Sequence, residues 1–248
     1  MRAPGVACET RLVEGHPWET IVAEATGVKS PLVVVSTHIG AIEHASRGTV
    51  TERLLGSTAD RVVRHAPCPV LVAPADLDLP RTLEGARWLV AIDFHEPSVE
   101  ALRTARLFAE RTGGTLETIH VVHRAEVDAN QPWRSSLHGH AKEMAVKRLA
   151  ELGAAELART PGPSIAAGSP AAARPPHPHF RMAERVSEGD TIATLVDAAH
   201  EQRNTVLVMG THGRGGLARL ALGSTTERVL RRADVPVLCV RRIDAAHA

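Results

Sequence analysis

Two kinds of pattern alternate along the chain. Short apolar runs read as buried strands, and longer stretches with an apolar residue every three or four positions read as amphipathic helices. From residue 87 onward the alternation is regular. The run 88–92 predicts a strand that ends in a turn at Asp93. Pro97 suits a first helical turn. Val99, Leu102, Ala105, Phe108 and Ala109 then form a helical apolar face, stopped by Gly113-Gly114. A second strand is expected over 118–122. A helix is expected over about 137–154, with Leu137, Ala141, Met144, Ala145, Leu149 and Leu152 on one side. A strand near 181–187, a helix near 190–202, a strand at 206–208, a helix at 224–233 and a strand at 236–240 complete the series. Strands alternating with helices predict an α/β fold with a doubly wound parallel sheet.

The pattern repeats. Residues 47–74 match 214–241: Gly56 falls on Gly223 and Pro69 on Pro236, both 167 positions on. Upstream, 13–25 resembles 186–199, and Gly15 falls on Gly189, 174 positions on. The seven-residue difference is an insertion in the first copy, within 39–46. The second copy is whole and the first starts late. It has an expected third strand (about 8–13), a helix (17–27), a strand (32–35), a helix (57–65) and a strand (69–73). Nothing corresponds to the first two strands and helices. About 75 residues bury little core alone. Either Met1 is not the natural start, or the first copy leans on the second or on a partner chain. The division expected is 1–74 for the first copy, 75–86 for a linker and 87–242 for the second copy, with 243–248 as a tail. The Pro- and Ala-rich insertion 160–179 reads as a mobile loop.

The densest chemical signal is 206–224, VLVMGTHGRGGLARLALGS. An apolar strand runs into Gly210, Gly213, Gly215 and Gly216. Gly223 follows, and Ser224-Thr225-Thr226-Glu227 has the form of a capping box with Ser224 as N-cap. A strand, a glycine loop and a helix N-terminus direct free N–H groups and the positive helix end to one place, which makes an anion site. Other phosphate loops do not fit. A Walker A loop needs Gly-Lys-Ser/Thr where Gly215-Gly216 stand, and a dinucleotide Gly-x-Gly-x-x-Gly fails at Ala218.

The spacing Gly-x2-Gly-x9-Gly-Ser, within MGTHGRGGLARLALGSTTERVL and followed by VPVLCVRR, resembles the universal stress protein family. The resemblance covers roughly 8–74 and 87–241. It implies an adenine nucleotide alpha-hydrolase-like fold with strand order 3-2-1-4-5. In that order the strands ending at Asp93 and Gly210 are neighbours that lead in opposite directions, so both converge on the crevice where ligands bind. The resemblance further implies ATP, with Mg2+, in the second copy. Ala91, Ile92, Asp93 and Val121 would hold the adenosine end. Met209, Gly210, Gly213, Arg214, Gly223, Ser224 and Thr225 would hold ribose and phosphates. It also implies that the copies pair antiparallel through their last strands, 69–74 and 235–240, as an internal pseudo-dimer. A homodimer and a regulatory protein partner are further associations, and the role implied is a nucleotide-dependent stress-response regulator. The first copy departs from the signature. Ser36 replaces the first glycine, only Gly56-Ser57 remains, and Asp93 has no counterpart, so the first copy is expected not to bind ATP. A variant Gly210→Val is expected to block the site while sparing the sheet.

The totals narrow the remaining classes. A net charge of +1 gives no general attraction to nucleic acid or acidic membranes, and no apolar run reaches the roughly 20 residues of a membrane span. Aromatic residues are rare and Tyr is absent, which argues against a stacking platform for single strands. Three scattered cysteines (Cys8, Cys68, Cys239) suit a reducing cytoplasm. His138 and His140 face different ways on a helix and make a poor metal pair, and His177 and His179 lack companion ligands. His212 lies in the glycine loop, within reach of a phosphate or merely exposed. No nucleophile stands beside a base, so no enzyme is read here. Slow ATP hydrolysis and a nucleotide-free interaction module stay open as alternatives.

Overall fold

The computed structural model describes residues 8–37, 55–75, 77, 83–123, 132–159, 182–211 and 222–241, with 132–138 described by backbone alone. The helices are α1 (Pro17–Gly27), α2 (Ser57–His65), α3 (Glu96–Thr112), α4 (Pro132–Ala158), α5 (Thr191–His200) and α6 (Ser224–Arg232). The strands are β1 (Val33–Thr37), β2 (Val70–Pro74), β3 (Arg87–Ala91), β4 (Thr115–His123), β5 (Met182–Gly189), β6 (Thr205–Gly210) and β7 (Val237–Val240). They form one seven-stranded sheet in the order β1-β2-β7-β6-β3-β4-β5. Within the second copy the order β5-β4-β3-β6-β7 is 3-2-1-4-5, and every pair is parallel.

The two copies meet where β2 runs antiparallel to β7. Leu71 faces Leu238 in that ladder, and these residues are each other's counterparts in the repeat. The copies are thus related by a local two-fold at this pair. Arg64 of α2 forks onto Asp60 at 2.9 Å through two nitrogens and reaches Glu227 of α6 at 3.6 Å. The Arg241 guanidinium donates to the Arg64 carbonyl at 2.9 Å.

Alternation along the strands divides the core. One face packs under α1, α2, α5 and α6 and holds Val33, Val70, Leu89, Ile119, Leu207 and Cys239. The other packs under α3 and α4 and holds Leu71, Trp88, Val90, Leu116, Val206 and Val208. Arg87 ties α5 to the sheet: buried, it donates to Glu117 at 2.8 Å and to the Ala198 carbonyl at 2.8 Å. On α4 the buried stripe is Ala145, Leu149, Gly153 and Glu156, while Met144, expected on that side, is 44 % exposed. The reason is helical register: Ala145 and Leu149 already fill the four-residue ridge against the sheet.

The repeat persists into local geometry. Gly15 and Gly189 have φ of +137° and +144°, and a Cβ on either would sit 2.9 or 2.8 Å from the Oγ1 of Thr20 or Thr194. Those threonines are also counterparts, so the same glycine-dependent entry into a helix is built twice.

One expected element is absent. Residues 8–13 carry no strand; Leu12 is fully exposed and Val13 half-exposed. In the second copy the matching strand, β5, is held by eight rungs to β4. The first copy has no counterpart of β4 among the described residues. A strand without a ladder partner leaves its backbone groups to water and gains little from its apolar side chains. The insertion 160–179 and the tail 243–248 lie outside the described residues.

Candidate functional site

The sheet's order reverses between β3 and β6, and a cavity of about 600 Å³ opens there, beyond the carboxyl ends of the strands. This is within the range of small-molecule sites, roughly 300–1,000 Å³. Ala91, Ile92, Asp93, Val121, Met209, Gly210, Gly223, Ser224 and Thr225 all line it. Nine of the eleven residues singled out from the sequence are therefore brought to one place. The other two, Gly213 and Arg214, lie outside the described residues, as does His212.

The cavity has two chemical ends. Its inner wall is apolar and built from strand ends, with Ile119, Val121 and Met209 joined by Leu195 of α5. The other wall is the start of α6. Ser224 is not the cap of that helix, as the capping-box pattern predicted. Gly223 is the N-cap, in extended conformation, and as a glycine it offers no side-chain cap. Glu227 turns away to pair with Arg231 at 3.0 Å and Arg64 at 3.6 Å. Thr226 spends its hydroxyl on the Gly210 carbonyl at 2.9 Å, and Gly223 N–H donates to the Thr211 carbonyl at 2.7 Å. These bonds dock the helix start onto the end of β6. The first-turn N–H groups of α6 and the positive end of its dipole lie beside the cavity, which Ser224, Thr225 and Thr226 line.

Gly210 lines the cavity as expected and meets a second requirement that the sequence did not suggest. A Cβ there would lie 2.8 Å from the backbone C and O of Pro97, at the start of α3. The glycine permits β6 and α3 to touch. Gly210→Val therefore disturbs this packing as well as the cavity, and it does not separate binding from folding.

Asp93 sits in the turn expected after β3. Its Oδ1 accepts from the His95 N–H at 3.0 Å, its own N–H donates to Ser98 Oγ at 3.3 Å, and His95 Nδ1 donates to its carbonyl at 2.9 Å. The carboxylate is 46 % exposed and open to the cavity. The next residue, Phe94, has φ +63°, a left-handed conformation that costs a non-glycine residue of order 1–3 kcal/mol. His120, which no sequence motif singled out, lines the same cavity, and its Nδ1 donates to the Ile92 carbonyl at 2.7 Å.

Elsewhere the chemistry is quiet. Burial pushes the Cys239 thiol up to about 12 and the Cys68 thiol up to about 11, so neither is a nucleophile near neutral pH. Among the described residues no group of three or more His, Cys, Asp or Glu gathers to hold a metal ion.

Comparison with known proteins adds to this geometry. A sequence model of the universal stress protein family matches residues 1–74 and 86–241. Universal stress protein Rv2005c of Mycobacterium tuberculosis is 32% identical over 198 residues, covering 80% of this chain and 60% of that protein. The chain thus spans 60% of the length of the curated relatives it matches in this way. Among solved structures, a functionally unknown protein, PA1789 from Pseudomonas aeruginosa PAO1, superposes with a TM-score of 0.60 at 20% identity, covering 94% of this chain and 70% of that one. A universal stress protein from Archaeoglobus fulgidus gives 0.54 at 22% identity, covering 89% and 66%. These structural likenesses concern the fold.

Proposed function

The chain belongs to the universal stress protein family, and from that premise we propose that its second copy binds ATP and acts as a nucleotide-dependent stress-response regulator through a protein partner. The observation that carries this reading is the meeting of an apolar pocket with a helix N-terminus capped by a glycine across the reversal of the sheet. An adenine ring fits the apolar end, where Val121 and Met209 lie. The Asp93 carboxylate is placed to accept from the nucleoside. Phosphate oxygens fit the N–H groups of Ser224 and Thr225 and the Ser224 hydroxyl, with Gly213 and Arg214 as further contributors. Magnesium would arrive on the phosphates and keep several of its waters, as it does in such sites.

The first copy takes no nucleotide in this reading. At the position of Gly210 it has Ser36, and at that of Thr226 it has Ala59, which cannot bond a strand-end carbonyl. Its role is to pair β2 with β7. No described helix is long and apolar enough to cross a membrane, and we place the protein in the cytoplasm. The test is stoichiometry. Equilibrium dialysis with ATP and Mg2+ should give one nucleotide per chain. Two per chain would overturn the assignment to the second copy alone, and none at millimolar ATP would overturn the reading.

A further inference from the structure

Asp93 owes its place to a turn that is strained at Phe94, and beside its own local bonds this turn is held by contacts from elsewhere in the chain. Phe94 adopts φ +63°. Its ring lies 4.6 Å from the His120 ring and carries the Arg148 guanidinium of α4 at 4.3 Å. His120 also grips the backbone one residue before Asp93: the Ile92 carbonyl can only accept, so Nδ1 carries the proton of the 2.7 Å bond. The last rung of the ladder, Ile92 N–H to the Ile119 carbonyl at 2.8 Å, lies beside it. One side chain thus holds both flanks of Asp93, by a hydrogen bond before it and a ring contact after it.

We propose that His120 is a positioning residue for the cavity: it holds the Ile92 carbonyl and the Phe94 ring so that the turn presents the Asp93 carboxylate to the ligand. The proposal rests on the cavity being a nucleotide site for its effect on affinity, and on the turn alone for its structural part. A generic core histidine would contribute to stability without coupling to Asp93. A positioning residue acts through Asp93, so its effect vanishes once the carboxylate is gone. The atom involved is also diagnostic. An Asn side chain carries an N–H at about the reach of Nδ1, whereas Gln carries it at that of Nε2.

The experiment has two arms on the full chain. In the nucleotide-free protein, amide exchange is read at His95, whose N–H is bonded to the Asp93 carboxylate, with Leu89 of β3 as the control for folding. His120→Ala and His120→Gln should speed His95 exchange at least about tenfold with Leu89 unchanged, while His120→Asn stays near wild type. Unchanged His95 exchange in His120→Ala overturns the proposal whether or not ATP binds. In the second arm ATP affinity is measured. His120→Ala should weaken it about tenfold, the scale of one lost hydrogen bond, and His120→Asn should restore most of it. In an Asp93→Asn background His120→Ala should cost nothing further, and additive losses overturn the proposal. If wild type itself fails to bind ATP, the nucleotide reading falls and the exchange arm still decides the role of His120.

Discussion

Val34 and Val208 hold the same place in the two copies, yet Val34 is 51 % exposed and Val208 is 0 % exposed. Val208 lies on a strand paired on both sides, by β3 and β7, under α3. Val34 lies on β1, which pairs only with β2 among the described residues. The same contrast runs through the copies. Leu12 is bare where its counterpart Val186 packs against the core. The elements that cover the second copy, β3, α3, β4 and α4, also supply one side of its cavity, opposite β6, α5 and α6. In this fold the middle of the sheet supplies both core and part of the site, and the first copy shows no counterpart of it among the described residues.

The largest effect that sharpens this contrast is a charge at the matched valines. Val208→Asp should destabilise the protein by about 4 kcal/mol or more, since it buries an unpaired carboxylate. Val34→Asp should stay within about 0.5 kcal/mol, as an exposed change does. Urea unfolding of both variants checks this, and equal losses would mean that β1 is covered after all. A smaller effect concerns helix caps. Asp190 caps α5 by accepting from the N–H groups of Ile192 and Ala193 at 3.1 and 2.9 Å, whereas its counterpart His16 gives α1 no side-chain cap. Asp190→Ala should cost about 1 kcal/mol and His16→Asp should gain a similar amount. Opposite signs in chemical denaturation are the expected result.

Much of this was legible along the chain. The repeat, the strand–helix alternation and the bounds of α2 follow from local periodicity and from turn residues such as Gly56 and Gly223. The convergence of Asp93 with the glycine strand followed from the resemblance and the rule for switch points. What escaped depends on partners distant in sequence. Residues 8–13 have a strand's composition, but a strand is made by its neighbour, and among the described residues they have none. Ser224 fits a capping box by spacing, yet Gly223 takes the capping conformation and Thr226 bonds to Gly210 O across the fold. Gly210 looked like a phosphate glycine, and its contact with Pro97 is visible only in three dimensions. His120 lies 28 residues from the carbonyl that it holds, so no window of sequence contains the pair.

The central claim, that the α6 N-terminus of the second copy receives phosphate and that of α2 does not, is tested most directly by matched aspartates. Ser224 and Ser57 are counterparts, both exposed, each the first residue of its helix. An aspartate at either place complements the helix dipole and should raise stability by about 0.3–1 kcal/mol without ligand. Thermal unfolding with and without Mg-ATP then separates the copies. At about 100 times its dissociation constant ATP should stabilise wild type by about 2.7 kcal/mol. This appears as several degrees at about 2–4 °C per kcal/mol. Ser57→Asp should keep that shift and Ser224→Asp should lose it through repulsion of the phosphates. A full ATP shift in Ser224→Asp, or its loss in Ser57→Asp, would contradict the account.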